Sequence, residues 1–291
     1  AVEALREEMH LNDSYIVQYG HWIAGILEGD FGESIVTKRP VLDDIKSYLP
    51  ATLELALITA VLIIVFGILL GIVSTKYSGK WLDGIIRTLS YFGICAPAFL
   101  WAVFAMLLFA YMLPILPISG RISAGISPPA MVTGMYTIDF LLQGDVAGAL
   151  DALKHLILPA VVMSFAGISQ AARITRSSMV ENLDKPYAYA ERAYGIPENK
   201  ILHKYLLKPS LNSTISVMAL DIAGIFGSAF LVEQIFGYPG LSNYGLTAML
   251  NKDVFAVSAV VMVLGIIVII FNLLADLVIR ALDPRVRLQE K

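Results

Sequence analysis

Charge is missing from long blocks of this chain, and that gap constrains the fold more than any other feature. A helix that crosses a bilayer needs about 20 mostly apolar residues, because no water is available to its backbone there. Thr88 to Leu113 contains no charged residue, and Leu53 to Thr75 contains only Glu54. Ile215 to Phe236 carries Asp221 and Glu233, and Val254 to Leu282 carries Asp276 and Arg280. A fifth stretch, Leu156 to Ala172, is shorter and mixes Ser, Gly and Gln with its apolar residues, which suits a helix that faces other helices. Charged residues make up 15% of the chain, against about a quarter in soluble domains, so there is too little charge to cover a soluble surface. The expected fold is an all-α polytopic membrane protein with five visible spans.

Basic residues orient the spans, because loops on the cytoplasmic side are enriched in Lys and Arg. Lys76, Lys80 and Arg87 follow the first stretch. Arg173, Arg176, Lys185, Arg192, Lys200, Lys204 and Lys208 lie between the third and fourth. Arg280, Arg285, Arg287 and Lys291 close the chain. These fourteen of the 21 basic residues fall on one side, which is therefore expected to be cytoplasmic. Residues 1–50 and the loop 114–155 are expected outside, with the permease body in 51–291. An outside N-terminus without a targeting signal is awkward to insert, and a sixth span before Ala1 would remove the difficulty.

The cytoplasmic stretch 176–212 carries the most local information. The helix that leaves the membrane at Arg173 should break at Asp184-Lys185-Pro186, because the residue before proline is driven out of the helical region. Tyr187 to Tyr194 should form a short helix stopped by Gly195. Pro197 then suits the first turn of an amphipathic helix, with Ile201, Leu202, Tyr205 and Leu206 on one face, running through Lys208. Such a knob can lie on the headgroups or dock a cytoplasmic partner, and the residues alone leave both readings open.

Several classes of chemistry find no support. No phosphate-cradling Gly-x-x-x-x-Gly-Lys-Ser/Thr run, His-Glu-x-x-His pair or Gly-x-Ser-x-Gly elbow is present. His10, His21, His155 and His203 are scattered singly, so no metal site and no catalytic residue is expected. A net charge of -3 without a basic, aromatic stretch argues against nucleic acid. Cys95, the one cysteine, is expected to be a buried, inert thiol. Acidic residues within spans are candidates for function by default, so Asp221 and Glu233 are candidate path-lining groups, although both could reach an interface. Gly224, Gly227 and Ser228 could allow close helix packing or line a path. Asp276 and Arg280, one turn apart, could pair.

The order of several short runs resembles the dipeptide/oligopeptide/nickel family of bacterial ABC importer permeases, B-type subunit. These runs include Gly29-Asp30-Phe31-Gly32-Glu33-Ser34, Leu49-Pro50-Ala51-Thr52-Leu53-Glu54-Leu55, Ser119-Gly120-Arg121, Leu158-Pro159-Ala160, Glu233-Gln234-Ile235-Phe236 with Pro239-Gly240-Leu241, and Leu282-Asp283-Pro284-Arg285. The resemblance implies a type I importer permease fold in the inner membrane, with a first helix ahead of Ala1. It places the family's ATPase-coupling helix at Tyr187 to Gly195, with Tyr187, Ala190, Glu191, Arg192, Ala193 and Gly195 at the contact. Tyr189 and Glu191 depart from the usual pattern there. It implies a second, C-type permease, two cytoplasmic ATPases that bind ATP and Mg, an extracytoplasmic solute-binding protein, and surrounding lipid. The implied function is uptake of dipeptides, oligopeptides or a related small solute by alternating access. An ATP-independent secondary transporter or channel is the competing class, and it would purify without ATPases.

Overall fold

The computed structural model describes residues 14–282. Among these residues the regular structure is helical, and a single β-bridge pairs Glu33 with Pro40. Helix α1 (Tyr15–Glu28) buries none of its side chains and stops at Gly29, whose φ of 89° lets the N–H groups of Gly29 and Asp30 return to Ile26 and Gly25. Helix α2 (Val41–Lys76) contains the expected first span but starts at Val41 rather than Leu53, with Pro50 inside it. Residues 41–50, the end of the external segment 1–50 expected from the sequence, form the first turns of this helix.

The block Thr88 to Leu113 is not one straight span, as its uniform apolarity suggested. It divides into α3 (Trp81–Cys95) and α4 (Ala98–Met106), the latter continuing as a π-turn over Leu107–Met112. The second half is bent by 108° from the course of the first. Pro97 is the physical reason: its ring drives Ala96 into an extended conformation, with ψ of 132°, and it has no N–H to carry the ladder on. Cys95 sits at this bend and is exposed, which corrects the expectation of a buried thiol. Apolar surroundings in the sequence do not imply packing in a membrane protein, because lipid tails satisfy an apolar face as well as a neighbouring helix does.

Two short helices, α5 (Tyr136–Leu142) and, further on, α9 (Leu241–Leu250), lie in segments that had no expected structure. Between them come α6 (Val146–Leu183), α7 (Pro186–Ala193) and α8 (Glu198–Ile235), and α10 (Val254–Leu282) closes the described chain. Helix α6 has 38 residues, about 57 Å at 1.5 Å per residue, so it crosses the bilayer and projects beyond it, as the sequence expected of Arg173 to Leu183. The amphipathic helix after Pro197 does not stop near Lys208. It runs through a π-turn at Ile201–Leu206 directly into the next span. Among the described residues four helices are long and apolar enough to cross a membrane, and the bent α3–α4 pair makes a fifth if counted as one.

Helix α6 is central and packs along α2, with α3, α4, α5 and α8 on its other sides, while α10 packs on α8 and α9. The α2–α6 seam is close because Gly67 faces Ala171 and Gly71 faces Thr175, where a Cβ would collide. The main core joins Leu55, Ile63, Ala160, Ala171, Phe226 and Val260 among others.

Candidate functional site

The body has two polar ends, a basic one with the knob and an opposite one with the long loops. At the knob end, Lys185 is held extended before Pro186, which opens α7 at its first turn. Gly195, with φ of 73°, closes α7 by donating to Arg192 O at 2.9 Å, and Ile196 N–H donates to Glu191 O at 3.1 Å. Ala188 points inward and is fully buried in a small core with Ile72, Met179, Ile201, Leu202 and Leu206. The knob is thus packed onto the ends of α2, α6 and α8.

Tyr187, Ala190, Ala193 and Gly195 form its outer surface, with Tyr189 and Tyr194 also exposed. Glu191 and Arg192 are half-buried. Arg192 is an internal brace: its guanidinium donates to Glu198 at 2.9 and 3.2 Å and reaches Leu183 O at 3.5 Å. Behind the knob, Asp83 of α3 is buried and takes a two-pronged contact from Arg176 at 2.6 and 2.8 Å, plus the Ser74 hydroxyl at 2.6 Å. That pair ties α3 and α6 to the end of α2.

The four candidate path residues do not form one cluster. Asp221, Gly224 and Ser228 share a flank of α8, beside an open face on which a Cβ at Gly224 or Gly227 would meet nothing within 4 Å. Asp221 is half-buried, and among the described residues its Oδ2 is buried without a hydrogen-bond partner. Ser228 returns its hydroxyl to Ile225 O at 2.9 Å. Glu233 lies about 18 Å along the helix from Asp221 and about 7.5 Å from Ser228. Its carboxylate is fully buried, accepts from Thr52 Oγ1 at 2.6 Å and Asn243 N at 2.8 Å, and abuts Gly240 so closely that a Cβ there would collide.

The loop end holds a network that the sequence reading did not assemble. Glu54 of α2 is buried and pairs with Arg121 of the long loop at 2.7 Å. Arg121 also donates to Gly134 O at 2.8 Å, and its guanidinium carbon stands 3.5 Å from the centre of the Tyr136 ring. The Thr137 N–H donates to Glu54 at 2.7 Å and the Tyr238 hydroxyl at 3.4 Å. One carboxylate thus gathers α2, the 114–135 loop, α5 and the turn before α9. A usable signal was present in the sequence: Glu54 is the one charge in its block, and Arg121 is isolated in a loop otherwise poor in cations. Nearby, Asp253 at the start of α10 accepts from Ser34 Oγ at 2.6 Å and Ile35 N at 2.8 Å, which ties the N-terminal segment to the last span.

Membrane-length helices joined by polar knots at both ends make this a polytopic membrane protein rather than a soluble one. Residues 63–288 match the family described as binding-protein-dependent transport system inner membrane component, and the chain belongs to that family, whose members sit in the inner membrane. It is 36% identical over 98% of its length to the Escherichia coli K12 protein named "Probable D,D-dipeptide transport system permease protein DdpB", covering 84% of that protein. It is 32% identical over 99% of its length to the dipeptide transport system permease protein DppB of Alkalihalophilus pseudofirmus, covering 86% of it. The di/tripeptide transport system permease protein DppB of Pseudomonas aeruginosa is 31% identical over 94% of this chain, with 81% of that protein covered.

Proposed function

We propose that this chain is the B-type transmembrane subunit of an ATP-driven importer that carries dipeptides, oligopeptides or a related small solute into the cytoplasm by alternating access. The observation that carries the reading is the knob. A short helix with Tyr187, Ala190, Ala193 and Gly195 on its outer face is packed onto three spanning helices rather than spread along a headgroup plane. A partner that moves the knob therefore moves the spans. On this reading the knob end is cytoplasmic, in keeping with its Lys and Arg content.

Energy enters through two cytoplasmic ATPases that hold ATP and Mg, since this chain carries no phosphate-cradling loop. A homologous C-type permease completes the path, and a solute-binding protein delivers cargo at the loop end, where the Glu54–Arg121 knot organises the surface. ATP binding shifts the balance between two arrangements of the spans, which is the only way a distant ligand can act on a path. The family's description supports the binding-protein dependence, and the names of the three relatives support small peptides as cargo. Asp221, Gly224 and Ser228 are the groups assigned to the path.

The test is reconstitution of the co-purified complex into liposomes, followed by uptake of a labelled dipeptide with and without ATP. Ala193→Arg, on the exposed knob surface, should leave membrane insertion intact and abolish ATP-dependent uptake. Uptake that proceeds without ATP, or is indifferent to this substitution and to deletion of 186–195, would sink the proposal.

A further inference from the structure

Where α3 runs beside α6 at the knob end, their seam opens into a recess of about 330 Å³ lined by Arg87, Ser90, Tyr91, Arg173, Arg176 and Ser177. Its cations are not all spent. Asp83 neutralises Arg176 and fixes its position. Arg173 donates to the neutral Gln170 Oε1 at 2.7 Å, which leaves its charge uncompensated. Arg87 is exposed and forms no ion pair among the described residues. Two uncompensated guanidinium groups, with the Tyr91 and Ser177 hydroxyls beside them, present many donors to one volume, while the Ser90 hydroxyl is donated to Ile86 O at 2.8 Å. That donor set suits an anion with several acceptor oxygens, and guanidinium forks match phosphate in particular.

The surface next to the recess says where such a phosphate comes from. On α3 the residues Tyr91 and Ile94 follow Arg87 at helical spacing, on the same side of the helix, and are 52% and 40% exposed. This side flanks the buried seam of Asp83, Ile86, Ser90 and Gly93, while the exposed Trp81, Ile85, Leu89 and Phe92 occupy the opposite face of α3. A free anion has no use for a neighbouring apolar wall, whereas a diacyl lipid needs both a polar socket and a wall for its chains. Basic pockets between spanning helices are suited to anionic headgroups in this way.

We infer that this recess is a binding site for the phosphodiester headgroup of an anionic phospholipid in the leaflet at the knob end, with Arg87 and Arg173 as its principal ligands and the Tyr91–Ile94 side of α3 as the seat of an acyl chain. This assignment stands apart from the transported solute and from the coupling role of the knob.

The experiment is native mass spectrometry of the delipidated complex, titrated separately with phosphatidylglycerol and phosphatidylcholine. The wild type should retain phosphatidylglycerol in clear preference, and inorganic phosphate at the same concentration should not displace it. Arg87→Gln should weaken that preference about five-fold and Arg87→Gln with Arg173→Gln about thirty-fold, because each cation near the headgroup layer contributes a similar share. Arg87 is exposed, so the single variant folds even if the double does not, and circular dichroism checks both. Equal retention of the two lipids, an unchanged preference in Arg87→Gln, or ready displacement by inorganic phosphate would each overturn the assignment. The readout does not involve transport, so it stands or falls separately from the proposed function.

Discussion

Arg121→Ala removes the cation from the buried knot at the loop end, and the structure sets the size of the effect. Glu54 is 3% exposed and would be left as an uncompensated buried carboxylate. Breaking a buried pair from one side costs about 3–5 kcal/mol. The lower end applies here, because the Thr137 N–H and the Tyr238 hydroxyl still donate to Glu54. Loss of the Gly134 carbonyl contact and of the Tyr136 ring contact keeps the cost from falling further, so about 3 kcal/mol is expected. Glu54→Gln strands Arg121 in turn and should cost a similar amount. The double variant leaves neither charge buried alone, so it should cost about as much as one single variant rather than their sum. The assay is reversible denaturant unfolding of the purified chain in detergent, read as a double-mutant cycle. Strictly additive costs, or a single cost below about 1 kcal/mol, would refute the claim that these two charges hold the loop end as a unit.

At the α2–α6 seam, Gly71→Val drives a side chain into Thr175 and should destabilise by about 1–3 kcal/mol, seen as a lower melting temperature. Gly224→Leu meets open space, so it should leave stability unchanged while reducing solute uptake if that face lines the path. Arg192→Ala removes a brace that is partly exposed, so the cost should stay at or below about 1 kcal/mol, with faster limited proteolysis across 184–197 as the readout. Burial opposes ionisation of Asp139, but bonds from Thr133, Gly134 and Val132 outweigh it and hold the carboxyl below its ordinary value. A group depressed in the folded state stabilises fully above its unfolded value, about 3.9, and that contribution is lost as pH falls through the folded value. Amide exchange over 132–135 should therefore accelerate in acid, and Asp139→Asn should remove that pH dependence.

The apolar blocks announced the spans because the bilayer imposes a length and a composition that few other environments demand. Proline and glycine announced the knob, since Pro186 and Gly195 act through local backbone sterics that a sequence displays directly. The bend at Ala96 was equally visible in Pro97, but the uniform apolarity around it outweighed a single residue in the reading. Helices α5 and α9 were missed because each is short and held by contacts from elsewhere in the fold, such as Thr137 to Glu54 and Asn243 to Glu233. The scatter of the candidate path residues has the same cause. Asp221 and Glu233 look alike in a hydropathy reading, and only the turn carrying Gly240, folded back onto Glu233, separates a half-open carboxylate from a sealed one.

Helices α6 and α8 reach the knob from opposite directions without a loop at either membrane exit. Only the stretch from Asp184 to Pro197 separates two rods of 38 residues each. A shaft of that kind has little give along its axis, because every stretch strains a ladder of backbone hydrogen bonds at once. Displacement of the knob would run along both rods, which yield where their ladders are weakened, at Pro159 inside α6 and at the π-turn Ile201–Leu206 of α8. The joint at Ala96–Pro97, where the ladder is broken outright, adds a further soft point in the neighbouring α3–α4 pair.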